Sequence, residues 1–184
     1  LPTLSLWDTV FTLQSSAGYK DNVSLSAVRP SGSPFVRNQA EVIVFRLPVE
    51  GLEFNAFLSG EDTRFLASEV VDKERNALAH VQLKKTWSEQ WSASLAGQYF
   101  YQNQVVDLST SFATPTVLGV ESHTYSVRLA ARRRFAGRWW WELEPTLTRQ
   151  DFNSPLDDYW EGGPKISVGR EHGHKSELAV SYEL

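Results

Sequence analysis

The sequence predicts an all-β chain: an antiparallel up-and-down transmembrane β-barrel, about eight to ten strands long and open to being part of a larger barrel. Three observations predict it. Very short turns are flanked by large rings, as in Trp87-Ser88-Glu89-Gln90-Trp91 and Phe135-Ala136-Gly137-Arg138-Trp139. On either side of each turn, apolar and polar residues alternate for about ten positions, the length a tilted strand needs to cross a bilayer. At the far ends of the same segments the connections are long and hydrophilic.

Turn arithmetic tests the first observation. With Ser88-Glu89-Gln90 as a three-residue loop, Lys85 faces Ala93, Leu83 faces Leu95, Val81 faces Gly97 and Ala79 faces Tyr99. The reverse side then carries Thr86 with Ser92, Lys84 with Ser94, and His80 with Gln98. One face is apolar and the other polar, as strand pleating requires when the two sides meet different solvents. A loop at Ala136-Gly137-Arg138 repeats the result, with Ala131 against Leu143 and, opposite, Arg134 against Trp140 and Arg132 against Glu142. Arg133 is the exception on the apolar face, near enough to the turn to snorkel toward headgroups. A third hairpin is expected at Pro48-Val49-Glu50-Gly51, pairing Phe45 with Phe54, Ile43 with Ala56 and Arg46 with Glu53. A fourth, at His172-Gly173-His174, matches Val168 with Leu178, Ile166 with Val180 and Glu171 with Lys175.

Strands are therefore placed near Leu6–Tyr19, Gln39–Leu47, Leu52–Ser59, Asn76–Trp87, Trp91–Gln102, Thr124–Phe135, Trp139–Gln150, Lys165–Glu171 and Lys175–Glu183. The long loops fall at Lys20–Asn38, Gly60–Arg75, Asn103–His123 and Asp151–Pro164, each rich in turn-forming residues. By barrel convention the short turns face the periplasm and the long loops the exterior. The whole chain, 1–184, is expected to be one barrel domain without repeats or linkers. Nine strands is an odd number, whereas single-chain bacterial barrels have an even one. The chain is thus expected either to hold one strand more or less than counted, or to be part of a larger barrel.

Composition excludes other classes. No run of eighteen apolar residues exists, so a transmembrane helix is excluded. Mean hydropathy is below zero, but a barrel's lipid face occupies only alternate residues and escapes such averages. A formal charge of −4 leaves no basic footprint, so nucleic acid is not an expected partner. With no cysteine there is no disulfide framework and no thiolate metal site. Leu1 to Trp7 lacks the basic and apolar regions of a signal peptide, which suggests a mature or trimmed chain.

Three segments carry a resemblance. Gly18-Tyr19-Lys20-Asp21-Asn22-Val23 ends the first strand, and Gln104-Val105-Val106-Asp107-Leu108-Ser109 leaves the fifth. The fourth long loop reads Pro155-Leu156-Asp157-Asp158-Tyr159-Trp160-Glu161-Gly162-Gly163-Pro164. Together they resemble the barrel region of tetratricopeptide-fused outer-membrane proteins, one branch of which is similar to surface lipoprotein assembly modulators. Such barrels begin with a Gly-Tyr-Asp-x-Asn-Val-like segment, and this chain departs by carrying Lys20 where Asp is usual. The similarity spans most of the chain through short, loop-borne motifs; the group's helical repeat domain is absent from this sequence. It implies a longer barrel that moves or displays a polymer or lipoprotein at the outer membrane.

Parity names the candidate residues. Arg46, Glu53, His80, Lys84, Arg128, Arg132, Arg134, Glu142 and Glu144 are expected to line the lumen. Such a charged wall tunes ion selectivity or grips a plug or a translocating chain; equally, charges inside barrels often only satisfy one another. Trp87, Trp91, Phe135, Trp139 and Trp141 are expected at the membrane interface, with a sugar-stacking platform as the alternative. Trp140 has the opposite parity and is expected in the lumen. Asp157, Asp158, Tyr159 and Trp160 combine acids with rings and could form a constriction, a receptor surface or a plain surface turn.

Other chemistry has weaker support. His172 and His174 supply too few convergent ligands for a metal site, and no Gly-x-Ser-x-Gly elbow accompanies Ser122, His123 and Glu121. Neither metal, cofactor nor enzymatic activity is expected. The expected function is transport, export or translocation across the outer membrane of a Gram-negative-type bacterium. The partners would be outer-membrane lipid and a translocated polymer, lipoprotein or small solute. The alternatives are a non-conducting outer-membrane scaffold or receptor with partner-binding loops, and a soluble carbohydrate-binding β-sandwich.

Overall fold

The structure, a computed structural model, describes residues 5–28, 30–107, 109, 116–153, 157–172 and 176–183. Among these, nine strands run in chain order: β1 (Trp7–Lys20), β2 (Ser33–Val49), β3 (Leu52–Phe65), β4 (Lys73–Thr86), β5 (Trp91–Asp107), β6 (Val117–Phe135), β7 (Trp139–Phe152), β8 (Tyr159–His172) and β9 (Ser176–Glu183). They form one antiparallel sheet, each strand bonded to its chain neighbours, with β1 and β9 at the two ends of the order. The nine expected strands are all present. Most reach further into the long-loop end than the alternation suggests, because the ladder continues where the side-chain pattern has turned polar.

The turns explain the registers. At β4–β5 the amide of Trp87 donates to the carbonyl of Trp91 at 3.0 Å, and the Ser88 hydroxyl accepts from the amides of Gln90 and Trp91. Lys85 then faces Ala93 and Leu83 faces Leu95, as the turn arithmetic requires. At β6–β7, positive φ at Ala136 (45°) and Gly137 (75°) closes the loop, and Phe135 meets Trp139.

Two registers differ from expectation. The β2–β3 turn is a two-residue one at Glu50-Gly51, both with positive φ, the geometry that matches strand twist. It pairs Val49 with Leu52, and a bulge between Arg46 and Val49 then sets Arg46 against Phe54, Phe45 against Asn55 and Ile43 against Phe57. Pro48 lies in that bulge; lacking an N–H, it could not serve in a regular ladder. A slip of one residue exchanges faces, so Arg46 lies on the apolar side, away from Glu53. At β8–β9 the pairing is Val168 with Val180 and Glu171 with Glu177, two residues from the expected register, which keeps both faces intact. Lys175 and His174, and the contacts expected of them, lie outside the described residues.

The two faces of the sheet have opposite character. One carries Phe11, Val42, Leu58, Val81, Leu83, Leu95, Leu129, Leu143, Ile166 and Val180. Leu83, Leu95, Leu129 and Leu143 are 43%, 49%, 51% and 38% exposed, so nothing covers them. No second sheet packs on this face among the described residues. No described helix is long and apolar enough to cross a membrane.

The other face is polar and concave. Lys20 on β1 reaches Glu74 on β4 at 3.1 Å, and Arg132 on β6 reaches Glu177 on β9 at 2.7 Å. Each contact spans three strand spacings, about 14 Å along a flat sheet, so the sheet must roll toward this side for the side chains to meet. The ladder is also staggered. The row from Trp7, the first residue of β1, passes through Arg46, Phe54, Leu83 and Leu95 and emerges in the middle of β6 at Leu129. Rolling and stagger are the two features a sheet needs to curl into a barrel.

Buried apolar side chains gather at the long-loop end. Val23, in the segment joining β1 and β2, is fully buried with Phe65 and Val71, and Phe35 and Val105 pack against them. The Asn22 side chain holds this segment by donating to the Ser26 carbonyl and accepting from the Ser26 amide. The carbonyl of Ser24 accepts the amide of Asp107 at the end of β5. The segment thus spans from β1 to β5 across the concave side. Replacing Val23 with Ser removes two buried carbon groups' worth of burial, about 1.6 kcal/mol, and puts a hydroxyl among apolar neighbours. The expected result is faster hydrogen exchange at the Asp107 amide, with the β4–β5 ladder amides unchanged.

Candidate functional site

The turn end of the concave face holds the densest charge. Lys84, Arg132, Arg134, Glu142 and Glu144 line one cleft of about 290 Å³. Strand alternation puts all of them on one side, and the β6–β7 register sets Arg132 directly opposite Glu142. Glu53 joins from β3 through an ion pair with Lys84 at 3.2 Å, and Arg128 lies 3.9 Å from Glu144. His80 shares the face, between Phe57 on β3 and Gln98 on β5. Of the nine residues expected on this wall, only Arg46 is placed elsewhere, for the reason given by the Pro48 bulge.

Trp140 packs beneath Arg132, one of the cleft's cations. It is 3% exposed and pairs with Gly169, across which its ring lies. A Cβ at Gly169 would collide with the indole and stand 2.8 Å from the carbonyl oxygen of Leu178, so the glycine makes room for the ring. The guanidinium of Arg132 stacks on the other side at 3.8 Å from the ring centre, a close cation–π contact. Arg132 also meets Glu171 at 3.8 Å, and Arg134 meets Glu171 at 2.9 Å. Arg132 Nε and Trp140 Nε1 are buried without a hydrogen-bond partner among the described residues.

Glu171 and Glu177, the acids that hold these arginines, were not among the expected residues. Their parity on β8 and β9 is available in the sequence, but the expected register pairs Glu171 with Lys175, two residues from the observed pairing with Glu177. The resulting lattice of alternating charge and one stacked indole can orient ions and polar chains.

The expected interfacial rings cluster at the turn end of the opposite, apolar face. Trp87, Trp91, Phe135 and Trp139 are exposed, and Trp91 meets Trp141 edge-to-face at 6.1 Å. Trp7 and Phe54 extend the belt across β1 and β3, edge-to-face at 5.4 Å. A second belt, unanticipated, lies toward the long loops: Tyr99, Tyr101 and Tyr125 with Trp160. Tyr99 and Tyr125 rings are 5.2 Å apart, and Arg149 stacks on Trp160. Tyr99, Tyr101 and Tyr125 lie within the expected strands and share the parity of Leu95 and Leu129, whereas Trp160 shares the parity of Ile166 and Val168 but falls in the expected fourth loop.

The fourth loop is correspondingly shorter than expected. Tyr159 and Trp160 belong to β8 and are not loop residues. Tyr159 donates to Gln150 on β7, the Asp158 carboxylate accepts the Phe152 amide and lies 3.8 Å from Arg149, and Asp157 stays exposed. His123 hydrogen-bonds Tyr99 through Nδ1 at 2.9 Å, with Glu121 4.0 Å from its Nε2. Ser122, its neighbour on the strand, points to the opposite face, so the two cannot act together. No group of metal-binding side chains forms among the described residues.

No protein-family model matches this chain, and no curated protein matches it.

Proposed function

We propose that this sheet is the wall of an outer-membrane β-barrel whose concave, charged face lines a path for transport, export or translocation. The observation that carries the proposal is the uncovered apolar face bounded by two aromatic belts. On β5 the belts are ten residues apart, Trp91 to Tyr101, which at about 3.3 Å per residue and the usual tilt spans roughly 25 Å, the height of a barrel's apolar band. Leucines left bare in water would be an aggregation liability on this scale; in hydrocarbon they are at home. The material moved would be a polymer, a lipoprotein or a small solute, as the resemblance to tetratricopeptide-fused outer-membrane proteins also implies.

The test begins with solubility. The protein is expected to stay dispersed only in detergent and to migrate differently on gels before and after heating. In planar bilayers it is expected to conduct, and Arg128→Glu, which breaks only a long ion pair, is expected to shift the reversal potential toward cations. A protein that is soluble without detergent overturns the reading. The segment holding Val23 and Ser24, which crosses the concave side from β1 to β5, favours one alternative, a non-conducting scaffold. A silent bilayer with normal insertion would select it.

A further inference from the structure

On the apolar face, the belt at the turn end is not made of rings alone. Each even-numbered strand carries a cation near its turn end on this face: Arg46 on β2, Lys85 on β4, Arg133 on β6 and Arg170 on β8. At three of these positions the odd-numbered neighbours contribute rings, so Arg46 sits beside Trp7 and Phe54, Arg133 beside Trp91 and Trp141, and Arg170 beside Trp139, while Lys85 pairs with Leu52 and Ala93. The cations are held in place. Arg133 lies over Trp91 at 5.1 Å and Arg170 over Trp139 at 5.6 Å. Arg46 donates to the Leu52 carbonyl at 2.7 Å and Lys85 to the Glu50 carbonyl at 2.8 Å.

None of the four has a carboxylate within 4 Å among the described residues; Lys73, Arg138 and Lys165 share that property, but most described cations elsewhere do not. On the concave side Lys20, Arg37, Lys84, Arg128, Arg132 and Arg134 all do. So do Arg64, Arg75 and Arg149, on the apolar side at the opposite end. Four positioned, unneutralised charges therefore share one level of one face. An anion of matching geometry must come from outside the chain, and at the edge of an apolar band the available anion is a lipid phosphate.

We infer that the turn-end belt binds anionic phospholipid headgroups, with Arg46, Lys85, Arg133 and Arg170 taking the phosphates and the rings taking the glycerol and upper acyl chain. The inference rests on the membrane reading above. It goes further in assigning a lipid charge preference to the leaflet on the turn side. Rings and guanidinium groups suit that division, since Arg presents a fork to phosphate and stacks on Trp at once.

The full chain in neutral detergent micelles is titrated with dansyl-labelled phosphatidylglycerol or dansyl-labelled phosphatidylcholine of the same chain length, read by energy transfer from the adjacent tryptophans. Phosphatidylglycerol is expected to bind more tightly, and Arg133→Gln and Arg170→Gln are each expected to weaken it about fivefold, the electrostatic share of one surface cation. Phosphatidylcholine binding is expected to stay unchanged in both variants. Arg128→Gln, on the concave side, is expected to leave both lipids unaffected. Equal affinity for the two lipids, or a preference that survives both substitutions, overturns the headgroup site while leaving the barrel standing. Transfer to neither lipid, with a protein that stays in solution after detergent removal, overturns the barrel itself.

Discussion

Leu95→Arg is expected to cost about 2–4 kcal/mol of stability in a phospholipid bilayer, the penalty for a cation at mid-membrane depth. Leu95 lies midway between Trp91 and Tyr99 on β5, pairs with Leu83 and Leu129, and is 49% exposed. In water, a substitution at so open a position normally changes stability by less than about 0.5 kcal/mol. The same change therefore has two very different expected costs, and the surrounding solvent alone decides between them. Gln98→Arg supplies the control. It lies on the same strand and on the polar face, where a cation meets water or other charges, and is expected to change stability by under about 0.5 kcal/mol. Urea unfolding of protein refolded into vesicles measures both. Equal costs would mean that the leucines do not touch lipid.

Trp140→Ala is expected to lose about 3–5 kcal/mol, the range for deleting a buried indole. The ring is 3% exposed, fills the space above Gly169 and carries the Arg132 guanidinium. Its removal would leave Arg132 without its platform and loosen the pairs to Glu171 and Glu177 that join β6 to β8 and β9. Trp140→Phe is expected to cost clearly less. The indole Nε1 makes no hydrogen bond among the described residues, so only ring area is lost and a stacking surface remains. Gly169→Ala approaches the contact from the other side and is expected to destabilise by forcing the ring away. Denaturant midpoints for the three variants check the order; a Phe variant as damaged as Ala would mean the nitrogen, not the ring, is what matters.

Much of the fold was legible because one rule, alternation about a short turn, acts locally and repeats. It placed Leu83 with Leu95 and Arg132 with Glu142 without knowledge of anything distant. It failed where the turn chemistry was misjudged. The expected four-residue turn includes Pro48, whereas Pro48 sits in a bulge beside a two-residue turn at Glu50-Gly51, and the extra residue exchanges the faces of β2. Arg46 followed its strand to the apolar side and became one of the belt cations. The site was legible in part for the same reason. Parity assigned Lys84, Arg128, Arg132, Arg134, Glu142 and Glu144 to one face, but Glu171 and Glu177 reach the arginines across the curve of the sheet. That closeness depends on rolling, which no pattern along a single strand records. The packing of Val23 against Phe65 and Val71 is likewise a meeting of distant segments.

The long-loop ends of the strands have a consequence of their own. A tilted strand needs about nine to eleven residues to cross hydrocarbon, whereas β5 has 17 and β6 has 19. In the proposed membrane setting, with the tyrosines at the waterline, the surplus would form a parapet of paired strands, braced from within by Val23, Phe65 and Val71. Its rim would stand clear of the lipid surface, so a visiting molecule would meet a ledge of paired strands before it met the membrane.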